Sequence, residues 1–267
     1  NNFTIDGADF NNSFGIGGNL PAGGAPISLD ALDEISVNIT PYDIRQTGFI
    51  GSAINAVTRS GTNTITGSVY NYFRTEKQRG RRVENTYFDR PPEEFNQKGV
   101  RIGGPIIKNK LFFFINYETE KQPRSIQPNP AATAAAPYGS SPNIKRPTAD
   151  SLTYISNYLL NNYGYVTGPF DNYTPDIERK KIMARIDWNI SNKHRLNLRY
   201  SQVEGGEPNG PSTSVGGLGT VAGSTATRTA GTALHFKNSN YFQGANFYSF
   251  AGELNSTFGK LSNTVRA

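Results

Sequence analysis

The residues best suited to acid–base chemistry are the paired carboxylates Glu118 and Glu120, which would share one face of an extended segment. Their sequence neighbours Lys121 and Arg124 instead predict a solvated, charge-balanced rim. Asp33/Glu34 and Glu93/Glu94 do not share a face. The two histidines, His194 and His235, lie in different segments, and zero cysteines remove thiolate metal sites and sulfur nucleophiles together. No His-x-x-x-His and no Gly-x-Ser-x-Gly spacing occurs. Asp6-Gly7-Ala8-Asp9 hints at calcium but lacks the further ligands of a binding loop. Gly15, Gly17 and Gly18 approach a phosphate-binding turn, yet no helix and no Lys-Ser/Thr follow. The sequence therefore predicts no enzyme, no metal and no cofactor.

The elements that carry these residues read as β-strands. Candidate strands run Ile65–Arg74, Gln97–Ile107, Leu111–Glu120, Lys181–Ile190, His194–Glu204 and Ala245–Thr257, with a seventh from Leu261. Ile182, Ala184, Ile186 and Trp188 alternate with Arg185, Asp187 and Asn189, and Leu196, Leu198 and Tyr200 with Arg195, Asn197 and Arg199. One face is apolar and the other charged. Tight turns at 108–110, 191–193 and 258–260 alternate with long polar loops at 75–96, 121–180 and 205–244. An antiparallel sheet with short turns on one rim and long loops on the other is the layout of an outer-membrane β-barrel. A β-sandwich shows the same alternation with its apolar face turned in. The loop asymmetry and the aromatics Tyr72, Phe73, Tyr117, Trp188 and Tyr200 near strand ends favour the barrel.

Composition agrees. The 267 residues include 28 Gly, 16 Pro, 16 Phe and 14 Tyr, a turn-rich β composition, and no apolar run reaches the ~18 residues of a membrane helix. The net charge of +6 is scattered, its densest cluster being Arg79-Gly80-Arg81-Arg82 in a loop, so nucleic acid is not the expected partner. Residues 1–63 read as a small α+β unit, with a helical turn at Asp30–Glu34 and strands at Ile35–Ile39 and Ile50–Thr58. Within the second loop, Pro130–Ala136 is low-complexity and Asp150–Tyr163 reads as an amphipathic helix with Leu152, Ile155 and Leu159 on one face. The third loop, Gly205–Thr232, reads as a mobile lid or as disorder. Leu111–Tyr117 is apolar on both faces and predicts a cover over its inner side. The start lacks signal-peptide character and the end falls inside a strand, so the expectation is an internal piece of a longer protein.

Two stretches are more specific. Ser28-Leu29-Asp30-Ala31-Leu32-Asp33-Glu34-Ile35-Ser36-Val37, Pro41-Tyr42-Asp43-Ile44-Arg45 and Gly48–Asn63 resemble the C-terminal half of the plug of TonB-dependent outer-membrane receptors. Gly67–Arg74 is similar to that family's first barrel strand, and Arg101–Phe114 to the second hairpin of its Oar-like branch. The resemblance implies an antiparallel transmembrane β-barrel segment of six or seven strands preceded by part of an α+β plug. Residues 1–63 would be the plug half, and 64–267 the first part of a barrel of about 22 strands with extracellular long loops. It implies the outer membrane of a Gram-negative bacterium, and as partners membrane lipids, including lipopolysaccharide, an unidentified ligand, and the TonB energy-coupling protein through a region absent from this chain. On this reading Asn11, Asn12, Phe14 and Asn19 form a ligand-facing plug loop, and Arg101, Arg185, Asp187, Arg195 and Arg199 face the lumen. The expected function is binding and active import of a ligand. A non-transporting surface protein whose loops hold a protein or polysaccharide, and a secreted β-sandwich adhesin, are the alternatives.

Overall fold

The computed structural model describes residues 2–11, 24–39, 52–78, 80, 82–87, 94–122, 129–171, 173, 175, 177–211 and 233–267. Asn12, Phe14 and Asn19, the glycines at 15, 17 and 18, the 41–50 stretch, Arg79, Arg81 and most of the third loop lie outside them.

Two sheets dominate. The first strands are β1 (Asn2–Ile5), β2 (Ala8–Asp9), β3 (Leu32–Ile39) and β4 (Ser52–Thr58). They form one sheet in the order β2-β1-β4-β3, in which β1 runs parallel to β4 and β3 antiparallel to it. A 3-10 turn at Leu29–Ala31, capped by the Ser28 side chain, leads into β3 in place of the longer helical turn expected at 30–34.

The chain then enters β5 (Thr66–Arg74), followed by a loop carrying the two-residue strands β6 (Arg82–Val83) and β7 (Thr86–Tyr87). Next come β8 (Phe95–Ile107), β9 (Leu111–Lys121), the short pair β10 (Ala131–Ala132) and β11 (Lys145–Thr148), and helix α1 (Ala149–Tyr163). After α1 follow β12 (Glu178–Ser191), β13 (His194–Glu204), β14 (Gly206–Asn209), β15 (Tyr241–Gly244), β16 (Phe247–Phe258) and β17 (Leu261–Arg266). The long strands make a seven-stranded antiparallel sheet in the order β17-β16-β13-β12-β9-β8-β5. Each is hydrogen-bonded to its nearest long neighbours in the chain, so the topology is an up-and-down meander.

Period two dictates what each face carries. On the face toward the first sheet lie Asn116, Glu118 and Glu120 of β9, Arg179, Lys181 and Met183 of β12, and Arg199, Ser201 and Val203 of β13, all buried. The opposite face is apolar and open: Val69 is 84% exposed, Phe250 70%, Ile115 46% and Trp188 40%. A water-soluble sandwich would be built the other way round, because exposed apolar surface on this scale is unfavourable in water. A sheet that turns its apolar side outward belongs in lipid.

The shared core lies between the two sheets. Ile5, Phe10, Ile27, Ala31 and Ala56 from the N-terminal unit meet Phe114, Met183 and Val203 from the large sheet. Phe10 packs against Phe247 with ring centroids 4.1 Å apart and planes tilted by 41°. The cover predicted for the doubly apolar β9 is thus present, and Phe114 is the side chain it buries.

Loop segments are more ordered than their composition suggests. The alanine-rich stretch supplies β10, whose Ala131 and Ala132 are buried beside β11. Helix α1 starts at the Thr148 cap and stops at Gly164, whose φ of 63° is the left-handed conformation that glycine tolerates. Of its expected apolar face only Leu152 is buried, while Ile155 stays exposed. Both ends of the third loop extend the hairpin as β14 and β15.

Candidate functional site

The charged inner face of the large sheet divides into two clusters. The first closes within the wall. Register sets Lys181 opposite Glu118 and Arg179 opposite Glu120. Lys181 Nζ donates to Glu118 at 2.8 Å and to Glu120 at 3.3 Å, and Arg179 donates to Glu120 at 2.9 Å. All four are buried, and Arg179 also reaches Glu207 of β14 at 3.5 Å. Buried charges are tolerated only when paired and hydrogen-bonded, as here. This overturns the expectation of a solvated rim at Glu118 and Glu120. Their partners are cations from a strand about 60 residues further along, which sequence proximity could not reveal, and Arg124 lies outside the described residues.

The second cluster reaches across to the N-terminal unit. Asp6 accepts from Thr58 N at 2.8 Å and Thr58 Oγ1 at 2.6 Å, which ties the β1–β2 turn to the end of β4. The same carboxylate accepts from Arg199 Nη1 and lies 3.8 Å from Arg185. Arg185 donates to the Thr58 carbonyl at 2.9 Å and is held in place by Asp187 at 2.9–3.0 Å. Arg199 is buried, and its Nε and Nη2 have no partner among the described residues.

A third set of bonds joins the two units at the other edge. Asp30 accepts from Ser68 and pairs with Arg101 at 2.9 Å. Ser28 Oγ lies 2.8 Å from the Tyr70 hydroxyl, which donates to Glu118 and so links this contact to the wall cluster. Tyr70 fills the space above Gly99, where an added Cβ would stand 2.1 Å from its ring.

The connector between the units is held as tightly. At Gly61 a Cβ would lie 2.3 Å from the Phe113 carbonyl oxygen and 2.8 Å from that of Gly104. Asn63 and Asn109 exchange two bonds, Asn63 Nδ2 to Asn109 Oδ1 at 2.6 Å and Asn109 N to Asn63 Oδ1 at 2.7 Å.

Of the residues singled out in the sequence, Arg185, Asp187 and Arg199 come together at the boundary between the two units, and Arg101 reaches that boundary at its other edge. Arg195 shares their face through its register with Asn189 but is exposed nearer the short-turn rim. Asn11 accepts from Phe3 N at 3.0 Å and donates to Phe3 O at 3.3 Å, so its amide fastens its own loop. Sequence reasoning missed Asp6, Asp30, Tyr70, Arg179 and Lys181. Parity along the expected strand already puts Lys181 on the face of Arg185, and would have put Arg179 there too had the strand been extended below residue 181. Among the described residues no group of histidines or carboxylates is disposed to hold a metal ion.

Comparison with known proteins fits this geometry. Residues 57–263 match the outer membrane beta barrel domain family. The chain is 24% identical over 229 residues to the TonB-dependent transporter Oar of Myxococcus xanthus, covering 83% of this chain and 19% of that protein. Its fold superimposes on the siderophore receptor PirA from Acinetobacter baumannii with a TM-score of 0.57 at 14% identity, over 99% of this chain and 31% of that one. For a Q482A mutant of the ferric enterobactin receptor PfeA from Pseudomonas aeruginosa, crystallised with enterobactin, the values are 0.56, 11%, 99% and 32%. At these identities the two receptors speak to the fold. The chain spans about a fifth of the length of its curated relative and about a third of the two receptors. With its apolar face outward and its charges turned inward, the chain belongs to the outer membrane beta barrel domain family and is an outer-membrane protein of a Gram-negative bacterium.

Proposed function

We propose that this chain is part of a TonB-dependent receptor that binds a ligand and imports it across the outer membrane. On this reading residues 1–63 are half of a plug, and the strands from residue 64 onward are the first part of the barrel that encloses it. The observation that carries the reading is the Asp6–Arg199–Arg185–Thr58 cluster, backed by Asp30–Arg101. It fastens a separate small sheet to the charged face of a membrane wall by polar bonds. Such bonds can be exchanged for water one at a time, whereas the wall itself is a continuous ladder. A unit attached in this way can be rearranged without unfolding the barrel.

Arg101, Arg185, Asp187, Arg195 and Arg199 then face the lumen, and the loop from Asn11 through Asn12 and Phe14 to Asn19 faces the ligand. The energy for rearrangement comes from TonB, acting on a part of the protein outside this chain. The test uses the full-length protein in planar lipid bilayers. Intact protein should be electrically silent, and deletion of everything before Asn63 should open a large, steady conductance. A deletion variant that inserts and stays silent would remove the plug assignment. Import itself is tested by deleting residues 11–19 in cells: ligand uptake falls while barrel assembly is spared, and unchanged uptake would remove the loop assignment.

The reading as a surface-binding protein has its own support in α1. Tyr154, Tyr158 and Tyr163 stand exposed along the helix with ring spacings of 6.4 and 6.2 Å, a surface suited to a partner outside the cell. A partner held at the cell surface with no uptake of it would favour this reading.

A further inference from the structure

The short turns of the large sheet carry charge of one sign. The β8–β9 turn holds Lys108 and Lys110, the β12–β13 turn Lys193 and the β16–β17 turn Lys260. All four are exposed, and none is in an ion pair among the described residues. No Asp or Glu stands within five residues of any of them in the sequence. The long-loop rim is built differently: there Lys121 is set opposite Glu178, and Lys180 opposite Glu204.

The three turns are bound sideways into one rim. Asn189 of β12 donates from its N to the Lys110 carbonyl at 2.7 Å and from Nδ2 to the Asn109 carbonyl at 3.2 Å. Thr257 of β16 donates from its N to the Lys193 carbonyl at 2.8 Å. The Asn63–Asn109 pair holds the first turn from its other side. The backbones that carry the lysines are thus fixed, while the ammonium groups stay free. Strand spacing sets neighbouring turns about 10 Å apart, so the array extends over about 20 Å.

Cations at this interval suit a partner with repeated anionic groups, which can engage several of them at once. The turn tips otherwise carry Asn109, Ser191, Asn192 and Gly259. Phe258 and Leu261, the apolar residues beside the third turn, share the outward face of Leu254 and Val265 and so belong to the lipid side. A protein partner would need apolar or aromatic anchors, and the tips offer none. Short turns face the periplasm, where the cell wall presents a hydrated polymer with carboxylates along its peptide stems.

We propose that Lys108, Lys110, Lys193 and Lys260 bind the carboxylates of peptidoglycan and hold the barrel against the cell wall. The site is independent of transport and rests on the short turns facing the periplasm.

The test is co-sedimentation of the full-length protein, in phosphatidylcholine nanodiscs, with purified peptidoglycan sacculi. Wild type should pellet with them. K108Q/K110Q/K193Q/K260Q should bind roughly tenfold or more weakly, since each basic residue at an anionic surface is worth about a factor of five. K108R/K110R/K193R/K260R, which keeps the charge, should bind as wild type does, and so should K98Q/K121Q/K180Q, altered toward the long-loop rim. Sacculi with amidated carboxylates should no longer bring the protein down. Each opposite result would overturn the proposal: no pelleting of wild type, full binding by the glutamine set, equal loss in the long-loop set, no rescue by arginine, or equal binding to amidated sacculi. Loss of binding when phosphatidylglycerol is added to the nanodiscs would mark a lipid-headgroup site and overturn it too.

Discussion

The two charged clusters on the inner face use the same residue types and hold different things together. Glu118, Glu120, Lys181 and Arg179 pair between adjacent strands of one sheet, with side chains almost entirely withdrawn from solvent. Asp6 and Asp30 pair with Arg199, Arg185 and Arg101 across a boundary, and the two carboxylates remain about a quarter exposed. Burial makes the first cluster unforgiving, because a lone charge left there has neither partner nor water. Partial exposure of the two carboxylates makes the second more replaceable, because water can reach Asp6 and Asp30 even though Arg199 is buried. The wall is therefore stiffened by its charges, whereas at the N-terminal unit they join the shared apolar core in fastening one sheet to the other.

The largest effect should come from breaking the wall cluster. Glu118→Ala removes the closer partner of Lys181, leaving two buried cations to share Glu120, and should cost about 3–5 kcal/mol in urea unfolding from detergent micelles. E118L/K181L, which removes both charges, should lie much nearer wild type. If the double variant is as damaged as the single, the cluster is more than a paired charge in a wall.

Asp6→Ala should cost about 2–3 kcal/mol, because it removes bonds to Thr58 and leaves the buried Arg199 without a counter-charge. The loss should appear as faster hydrogen exchange in β1 and β4, with β9 and β12 unchanged. Equal loosening of both sheets would erase the distinction between wall and fastening. Asp30→Asn should cost only about 0.5–1 kcal/mol, in keeping with its partly exposed pair.

The smallest effect is a pH dependence in the loops. His235 packs edge-on against Tyr173 at 6.4 Å, and burial pushes its pKa below the ordinary 6.5, with a bond to Asn240 partly offsetting it. A histidine whose folded pKa is lowered contributes stability above its unfolded value and loses it as pH falls through the folded one. Amide protection in 233–240 should therefore be full at pH 7.5 and fall below pH 6.5. Protection that rises on acidification would reverse the assignment.

The strands of the large sheet were legible because their information is local. Alternation such as Ile182, Ala184, Ile186 and Trp188, closed by two- or three-residue turns, specifies both the element and its partner. The outward turn of the apolar face was legible only indirectly, through loop lengths, since alternation is blind to which side meets water. The parallel pairing of β1 with β4 was not legible. It joins residues about 50 apart, with β2 and β3 between them. The site suffered from the same limit. Arg185 and Arg199 could be put on the correct face by parity, but Asp6 and Asp30 carry no local sign that they meet them.

Gly61 gives the geometry a mechanical meaning. The connector threads so close over the β8 and β9 backbones that no side chain fits, and the Asn63–Asn109 pair clamps it beside the turn that follows β8. The N-terminal unit is thus moored at its last residues, like a boat tied at the stern. Whatever dislodges it must swing the bow, where Asp6 sits, while the rope holds, and the unit then returns to the same berth without searching for it.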